Sequence, residues 1–574
     1  MTNVAASGLV LIIWYAILIL EGISVLICVR LALNSPRLGD HFFRRIEGGL
    51  VRLARRKQLA VLAVGIAALT GRALLLPVLP VREPAITDEF SHLLAADTFA
   101  SGRLTSPTHP MWVHLETMHV NQQPTYMSMY SPGQGLVLAA GKRLAGSPWV
   151  GVWISSALLC AAICWMLQAW LPPVWALLGG LIAVVRIGLF SYWVNSYWGG
   201  AVAAIGGALV LGALPRLVKW RRVWDSVLLG LGVLIVANSR PYEGVFLCLP
   251  VAAYLLFWML GKHRPRPAVL IWKVIAPATL ILAAGGAAIG YYNWRLTGDP
   301  LRLPYQVNRE AYVSGRYFPW ESLNPKPVYR HASMRDFYLK WQAQTAQEAM
   351  SLPGFVKNAL RNAGFFWMFY LGPLLTLPLV MLPRVLRDRR LRFLVVTGSI
   401  VALGLGLNLW FYPHYAACAT ALLYALLLQG LRHLRFWDGR RLSPGTFLAR
   451  SVPLLCIVLV AVRLAAQPLS FYMPLDHPAV WYSTRQGNVD RATMKAQLNG
   501  LPGRHLVLVR YLPEHNWFDE WVYNDANLDA SKIVWAQDMG PAGNQELLDY
   551  FRSRRVWLVE ADLNPPRMSP YWQP

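Results

Sequence analysis

An acidic pair followed by a histidine is the first place in this sequence where side chains could do acid–base chemistry. Asp88 and Glu89 follow Thr87 directly, and His92 comes one helical turn after Asp88. A carboxylate and a histidine on one helical face can act as a general base on a hydroxyl or hold a divalent cation. The same residues also suit a helix start, with Thr87 as N-cap and two acids favoured by the helix dipole. The spacing alone leaves both interpretations open.

A second carboxylate follows in the same polar stretch. Glu116 is the natural partner of Asp88 if the site needs two acids, and the two are then the candidate ligands of a divalent metal cation. His109, His114 and His119 do not share one face of a helix, so they do not predict a zinc site. Adjacent carboxylates suit a cation or a proton, and metal dependence therefore stays open.

Two further residues could bind a substrate at turns between apolar runs. Arg240 precedes an apolar run and could hold a phosphate, although pairing with nearby Glu243 explains it equally well. His414 lies at another tight turn, where a histidine is more often incidental. We take His92, Glu116, Arg240 and His414 together as candidate substrate-binding residues.

Long apolar runs must position all of these residues. The chain has 574 residues, 55% hydrophobic and 14% charged, with a mean hydropathy of +0.37. Soluble domains carry roughly 25% charged residues, so the composition predicts an α-helical polytopic membrane protein. About 20 apolar residues cross a bilayer, and the sequence predicts about twelve spans. They lie near residues 8–29, 58–80, 148–169, 174–190, 200–214, 226–239, 244–260, 274–293, 361–383, 393–411, 415–429 and 451–465.

The location of the positive charge predicts the orientation. Of 54 Lys and Arg residues, 25 lie in the five short segments 34–57, 215–225, 261–273, 384–392 and 430–450, with only five acids among them. All five segments fall on one side of the predicted topology, which the positive-inside rule makes cytoplasmic. The formal charge of +25 is thus an insertion signal, and no nucleic-acid partner is expected. Both termini are predicted to lie outside, with an uncleaved first span whose Glu21 should face another helix.

Three long polar segments then share the external side: residues 81–147, 294–360 and 466–574. The tail contains predicted strands at 505–511, 532–538 and 555–560 and a helix at 544–553, which indicate a small extracytoplasmic α/β domain. We therefore divide the chain into an extra span and basic loop (1–57), a transmembrane domain (58–465) and this tail domain (466–574). Residues 331–350 suggest an interfacial helix, most simply a membrane anchor, and aromatic clusters such as 192–198 suggest interfacial belts.

The order of these elements resembles a known family. A span, then DEFSHLLAADTFASGRL at 88–104 and a Pro-containing re-entry, YSPGQGLVLAAG at 130–141, is similar to the GT-C superfamily of membrane glycosyltransferases, in the protein mannosyltransferase and aminoarabinose transferase-like branch. The likeness is best over residues 58–215. This sequence departs from the pattern by one extra span before the acidic motif.

The resemblance implies an inverting glycosyltransferase in a cell membrane, most naturally a bacterial inner membrane. Its donor would be a sugar on a polyprenyl phosphate, and its acceptor a lipid, glycan or protein. Asp88 matches the family's catalytic or metal-binding acid, with Glu89 as its companion, and Glu116 matches a second acidic position by approximate location only.

Two other classes compete with this interpretation. A secondary transporter or lipid flippase would show internal repeats and a relay of ionisable groups within the spans. Glu21, Arg72 and Arg186 are the main charges within spans, and they form no evident relay in the sequence. A lipid-phosphate hydrolase would need a nucleophile pair, and the sequence offers none that we recognise.

Overall fold

The computed structural model describes residues 16–262, 264–322, 324, 327–437, 443–466, 480–482 and 487–571. The start of the predicted first span, residues 8–15, lies outside the described residues, as does the N-terminus whose side was predicted. Most of residues 467–486 also lie outside, so the start of the predicted tail domain cannot be compared with the structure.

Twelve apolar helices form the body of the described chain, in agreement with the predicted number of spans. Nine are long enough to cross a bilayer, namely Ala16–Asn34, Lys57–Leu74, Pro148–Trp170, Ala201–Trp220, Pro241–Leu260, Pro267–Thr297, Leu352–Arg387, Pro413–Arg435 and Pro444–Ala465. Three are shorter, namely Pro173–Gly188, Val223–Ala237 and Arg392–Leu407. The fold is that of an α-helical polytopic membrane protein.

Small residues and buried charges hold these helices together. A Cβ on Gly207 would lie 1.8 Å from the carbonyl oxygen of Cys418, so this glycine allows two helix backbones to touch. Glu21 does face other helices, as predicted. One of its oxygens accepts hydrogen bonds from Arg186 at 3.1 Å and from the Leu374 amide at 3.0 Å. This ion pair joins the first described helix to the core.

The predicted segments gather on two opposite faces. Asn121 donates to the carbonyl oxygen of Pro304 at 2.9 Å, which joins residues 81–147 to residues 294–360; we call their common side the large-loop face. On the other side, the amphipathic helix Asp40–Arg55 carries Glu47, which accepts from Arg435 at 2.6 Å and from Arg450 at 2.9 Å. We call that side the basic face.

The large-loop face carries short elements between the spans. The helices are Thr87–Ala100, Pro132–Ala145, Pro304–Tyr312 and a run composed of Ala332–Arg335, Asp336–Ala343 and Gln344–Glu348. A small antiparallel sheet consists of Ser106–Pro107, Thr125–Ser128 and Val120–Asn121, with Thr125–Ser128 central. In the helix 332–348, Met334, Phe337 and Tyr338 are buried against other parts of the chain. The preferred interpretation of this apolar face as a membrane anchor was therefore wrong, because protein covers it.

The end of the chain forms the predicted α/β domain. Strands His505–Arg510, Ile533–Gln537 and Arg555–Glu560 are parallel, with His505–Arg510 between the other two, and Arg567–Pro570 adds an antiparallel edge. Helices Val489–Gly500 and Gly540–Tyr550 accompany the sheet. The valines and leucines of His505–Arg510 and the valine of Ile533–Gln537 are buried, whereas Val556 and Leu558 of Arg555–Glu560 are half-buried.

This C-terminal domain packs directly on the helix Thr87–Ala100. The ring of Tyr523 stacks on Phe90 at 4.3 Å between centroids, and the Arg491 guanidinium lies 4.8 Å from the Phe90 ring. At the far end of the helix, Asp97 accepts a hydrogen bond from the Ala526 amide at 2.7 Å. The domain therefore contacts the helix that carries Asp88 near both of its ends, at Phe90 and at Asp97.

Candidate functional site

Asp88 lies in the first turn of the helix Thr87–Ala100 and is partly open, with 19% of its side chain exposed. The Tyr130 hydroxyl donates a hydrogen bond to its Oδ1, and His119 Nδ1 lies 3.7 Å from its Oδ2. The Thr87 hydroxyl lies 3.4 Å from the same Oδ2. Asp88 therefore keeps one oxygen with weak partners, which is the oxygen that could accept a proton.

Thr87 is the first helical residue, and its side chain does not cap the helix. The predicted N-cap was wrong by one position. The Thr87 hydroxyl instead lies 2.9 Å from His119 Nδ1, and Ser91 donates to the His119 carbonyl oxygen at 2.7 Å. Burial lowers the pKa of His119, against an opposing effect of Asp88. A neutral His119 can thus orient Thr87 beside the Asp88 carboxylate.

His92 lies on the same side of the helix as Asp88, since both contact Tyr130. Its ring stacks on the Tyr130 ring at 4.5 Å, and its Nδ1 is buried without a hydrogen-bond partner among the described residues. Burial lowers the pKa of His92 to about 3, with Asp88 raising it and Arg240 lowering it further. His92 is therefore neutral at physiological pH, and two opposite charges, Asp88 and Arg240, act on it.

Glu89 points away from Asp88, as adjacent residues of a helix do. Its carboxylate is fully buried. One oxygen accepts from the amides of Ala85 at 3.0 Å and Ile86 at 3.3 Å, and the other accepts from the Tyr197 amide at 3.0 Å. The sequence grouped Glu89 with Asp88 as catalytic, whereas the structure uses both Glu89 oxygens to tie the helix start to the segment after Gly188.

Arg240 lies at the turn before the helix Pro241–Leu260, half-buried, with its guanidinium 4.4 Å from the centre of the Tyr415 ring. Within the described part of the chain, no hydrogen bond or close ion pair engages this guanidinium. Glu243 still acts on it at longer range: burial lowers and the Glu243 charge raises the pKa of Arg240, with a net rise. The turn is fixed by the Tyr130–Gly133 segment, because the Gly133 amide donates to the Asn238 carbonyl oxygen at 2.9 Å. Five donors of a half-buried guanidinium are thus open to a ligand.

His414 is buried and directly precedes Tyr415, whose ring contacts Arg240. The Tyr192 hydroxyl lies 2.8 Å from its Nδ1 and accepts from its backbone amide at 3.0 Å. Trp198 packs 4.6 Å from the His414 ring. Tyr192, Trp193, Tyr197 and Trp198 are each at most 8% exposed, so the interfacial belt predicted for this cluster was wrong. These rings form the inner wall of the site.

Glu116 and Asp88 have different partners. Glu116 is buried and accepts from Tyr312 at 3.0 Å and from Arg330 at 3.1 Å. Burial raises its pKa, with Arg330 and Tyr312 opposing. Over the described ranges, no three His, Cys, Asp or Glu side chains converge to hold a metal ion. Asp88 and Glu116, the two predicted metal ligands, therefore have no third such side chain beside them in these ranges, and we derive no step through a metal.

Sequence reasoning missed several residues that complete the site. Tyr130 contacts both Asp88 and His92, His119 contacts Asp88 and Thr87, and Tyr415 contacts Arg240. The available signal was indirect: Tyr130 opens the re-entry motif, and Tyr415 follows His414.

The fold and the site together define a membrane protein with charged and aromatic side chains gathered around Asp88 on its large-loop face. No protein-family model matches the chain, and no curated protein matches it in sequence. The solved structure of ArnT from Cupriavidus metallidurans bound to undecaprenyl phosphate is similar over 87% of this chain and 92% of that chain, with 12% identity and a TM-score of 0.46.

Structures of an Archaeoglobus fulgidus oligosaccharyltransferase are similar as well. The form tethered to an acceptor peptide covers 88% of this chain and 69% of that chain at 9% identity and a TM-score of 0.40. AglB from the same organism, with an inhibitory peptide and a dolichol-phosphate, gives 10% identity, the same coverage and a TM-score of 0.42. These neighbours are GT-C glycosyltransferases, the family that the sequence resembles. At such scores the similarity assigns no activity, which we argue from the site itself.

Proposed function

We propose that this protein is an inverting membrane glycosyltransferase that moves a sugar from a polyprenyl-phosphate donor to an acceptor hydroxyl, with Asp88 as general base. One arrangement carries the proposal: the segment 130–133 contacts both the partly open Asp88 carboxylate, through Tyr130, and the turn before Arg240, through Gly133. Among the described residues the Arg240 guanidinium has no hydrogen-bond partner and lies on the Tyr415 ring. Transfer from a lipid phosphate needs a base for the acceptor and a cation for the departing phosphate.

The reaction assigns a separate task to each charge. Asp88 Oδ2 takes the proton of the acceptor hydroxyl while that oxygen bonds to the anomeric carbon of the donor. The bond between this carbon and the phosphate oxygen breaks, and the polyprenyl phosphate leaves with its electron pair. Arg240 binds that phosphate. A single displacement from the opposite side inverts the anomeric centre.

The surrounding residues orient these two groups. Tyr130 donates to Asp88 Oδ1, which leaves Oδ2 for the acceptor. Neutral His92 stacks on Tyr130 and excludes water beside the carboxylate. Glu89 is a positioning residue, because its oxygens hold backbone amides on both sides of the helix start.

The polyprenyl chain would enter from the bilayer, since Arg240 directly precedes the apolar helix Pro241–Leu260. We propose that the large-loop face is extracytoplasmic, because 25 of the 54 basic residues lie in the short segments of the opposite side. On this assignment the C-terminal domain is extracytoplasmic as well, because it packs on the helix that carries Asp88.

A transporter or flippase is the second candidate, and the charges within the spans do not support it. Arg186 is paired with Glu21 at 3.1 Å. Arg72 donates to Asn195 at 2.9 Å and lies 5.0 Å from the Trp149 ring. These groups are held in structural contacts, whereas a relay needs ionisable groups that exchange partners.

The test is Asp88→Asn in reconstituted membranes, with transfer from polyprenyl-phosphate sugars to a membrane extract followed by mass spectrometry. Loss of a general base should lower the rate by about 10²–10⁴-fold. Asp299→Asn is the matched control, because Asp299 is an exposed acid on the same face. Full activity of Asp88→Asn would refute the proposal, and sugar-lipid flux without any product would favour the transporter.

A further inference from the structure

A polar cavity opens on the large-loop face, around Glu116 and away from the site around Asp88. It has a volume of about 250 Å³ and is lined by side chains from both long loops, including Trp112, Gln122 and Arg330. Typical pockets for drug-sized ligands have volumes of about 300–1,000 Å³. This cavity is therefore the size of a single small ring.

Two buried amides in its wall have unused hydrogen-bonding capacity. Gln122 is 1% exposed and Asn121 is 5% exposed, yet Gln122 Oε1 and Asn121 Oδ1 have no hydrogen-bond partner among the described residues. Their amide nitrogens are fixed by the carbonyl oxygens of Leu115 at 2.7 Å and Pro304 at 2.9 Å. Both oxygens are covered by the protein around them, so the acceptor that a ligand in the cavity meets is the oxygen of the exposed Gln123 amide.

Donors line the same cavity. Arg330 gives one nitrogen, NH1, to Glu116 at 3.1 Å, and no hydrogen bond from its other nitrogens is seen in the described structure. Gln123 is exposed beside it. An ammonium ligand would use only the acceptors, and a phosphate would use only the donors. A hydroxyl both donates and accepts, so the mixed set fits several hydroxyls on one ligand.

The charge balance of the cavity and an aromatic side chain at its edge also favour an uncharged ring as the ligand. Glu116 and Arg330 form an ion pair, so the cavity carries no net charge for an ionic ligand to balance. The Trp112 ring lies against the Arg330 guanidinium at 4.7 Å, which holds an aromatic surface at the edge of the cavity. Together, neutral charge, mixed donors and acceptors and one aromatic wall match a sugar ring.

We infer that this cavity is a saccharide subsite that binds a sugar residue of the acceptor and is separate from the site around Asp88. The two are joined through a short strand, because His119, which contacts Asp88, precedes Val120–Asn121 directly. The acceptor role rests on the proposed function, whereas sugar binding does not. The acceptor would then be a glycan or glycolipid.

The test blocks the cavity without removing any hydrogen bond. Ala311 lines the cavity and is exposed, so Ala311→Phe should fill it. Glu310→Phe is the matched control, because its neighbour Glu310 is also exposed but does not line the cavity. Binding of methyl glycosides of glucose, galactose, mannose, arabinose and N-acetylglucosamine to the purified full chain is followed by saturation-transfer NMR.

We expect the wild type and Glu310→Phe to bind at least one of these sugars, and Ala311→Phe to bind it about tenfold more weakly or not at all. No sugar binding by the wild type, or equal binding by Ala311→Phe, would overturn the inference. Binding of inorganic phosphate or choline without any sugar would overturn it as well. In transfer assays, Ala311→Phe should raise the KM for a glycan acceptor and spare kcat. If no transfer occurs but the sugars bind, the proposed function fails and the saccharide site stands.

Discussion

Exchange of each member of the Asp88–Glu89 pair for its amide should give two different phenotypes. In Glu89→Gln, the single side-chain oxygen can accept either from the amides of Ala85 and Ile86 or from the Tyr197 amide. The new amino group then faces the remaining backbone N–H, which is also a donor. At least one hydrogen bond to a charged acceptor is lost, worth about 1.5–3 kcal/mol, and a buried donor left without a partner adds about 1–3 kcal/mol. These two losses give a local cost of about 2.5–6 kcal/mol. Glu89→Gln also removes the ion pair between Glu89 and Arg82, which lie 3.6 Å apart. In Asp88→Asn, the remaining oxygen still accepts from Tyr130, so local stability should hold.

Hydrogen exchange with mass spectrometry measures this difference where it arises. Peptides that cover Ala85–Ile86 and Tyr197 contain the three amides that Glu89 binds. A cost of about 2.5–6 kcal/mol corresponds to about 10²–10⁴-fold faster exchange in Glu89→Gln. Asp88→Asn should leave these peptides unchanged and lower transfer by about 10²–10⁴-fold. Unchanged protection in Glu89→Gln together with lost activity would refute our reasoning and make Glu89 a catalytic residue.

Three further predictions concern the phosphate, the pH dependence and the membrane core. Arg240→Gln should weaken binding of polyprenyl phosphate about 10–100-fold, as expected for a lost charge-assisted hydrogen bond, measured by native mass spectrometry; equal binding would remove Arg240 from the site. Burial lowers the pKa of His92 to about 3, so below pH 6.5 the unfolded chain takes up a proton that the folded chain does not. The folded state should lose about 2 kcal/mol at pH 5 through this group. His92→Phe should therefore narrow the gap between melting temperatures at pH 7 and pH 5, and an unchanged gap would contradict this. Glu21→Ala should cost about 3–5 kcal/mol by leaving Arg186 buried and unpaired, and Glu21→Leu with Arg186→Met should recover most of it in thermal melts. If both variants melted alike, the ion pair would not be the cause.

Local patterns were enough to predict the elements of the fold. Apolar runs gave about twelve spans because crossing a bilayer requires a fixed helix length, and the structure has twelve apolar helices in its described residues. Alternating valines and leucines predicted the strands of the tail, which begin and end within one or two residues of their predicted positions. Both signals depend only on neighbouring residues.

Contacts between distant residues decided what the sequence could not. Glu89 binds backbone amides, whereas Asp88 contacts the side chains of Tyr130 and His119. One of the amides that Glu89 binds belongs to Tyr197, 108 positions away. The sequence suggested Glu116 as a second metal ligand, and it could not predict that Tyr312 and Arg330, from another loop, donate hydrogen bonds to its carboxylate. The rings at 192–198 looked interfacial because their composition resembles that of a belt, yet the segment folds inward. None of these contacts can be recognised from the residues that neighbour either partner in the sequence.

The stacking of Tyr523 on Phe90 can form only late in synthesis, because these two residues lie far apart in the chain. A chain emerges from the ribosome N-terminus first, so the helix with Asp88 is made long before the domain that covers it. Residues 489–571 follow the last apolar helix, and their packing against Phe90 and Asp97 is possible only after every span has been made. An unfinished or truncated chain therefore carries Asp88 on a helix that lacks one of its walls. Completion of synthesis becomes a condition for a fully formed site.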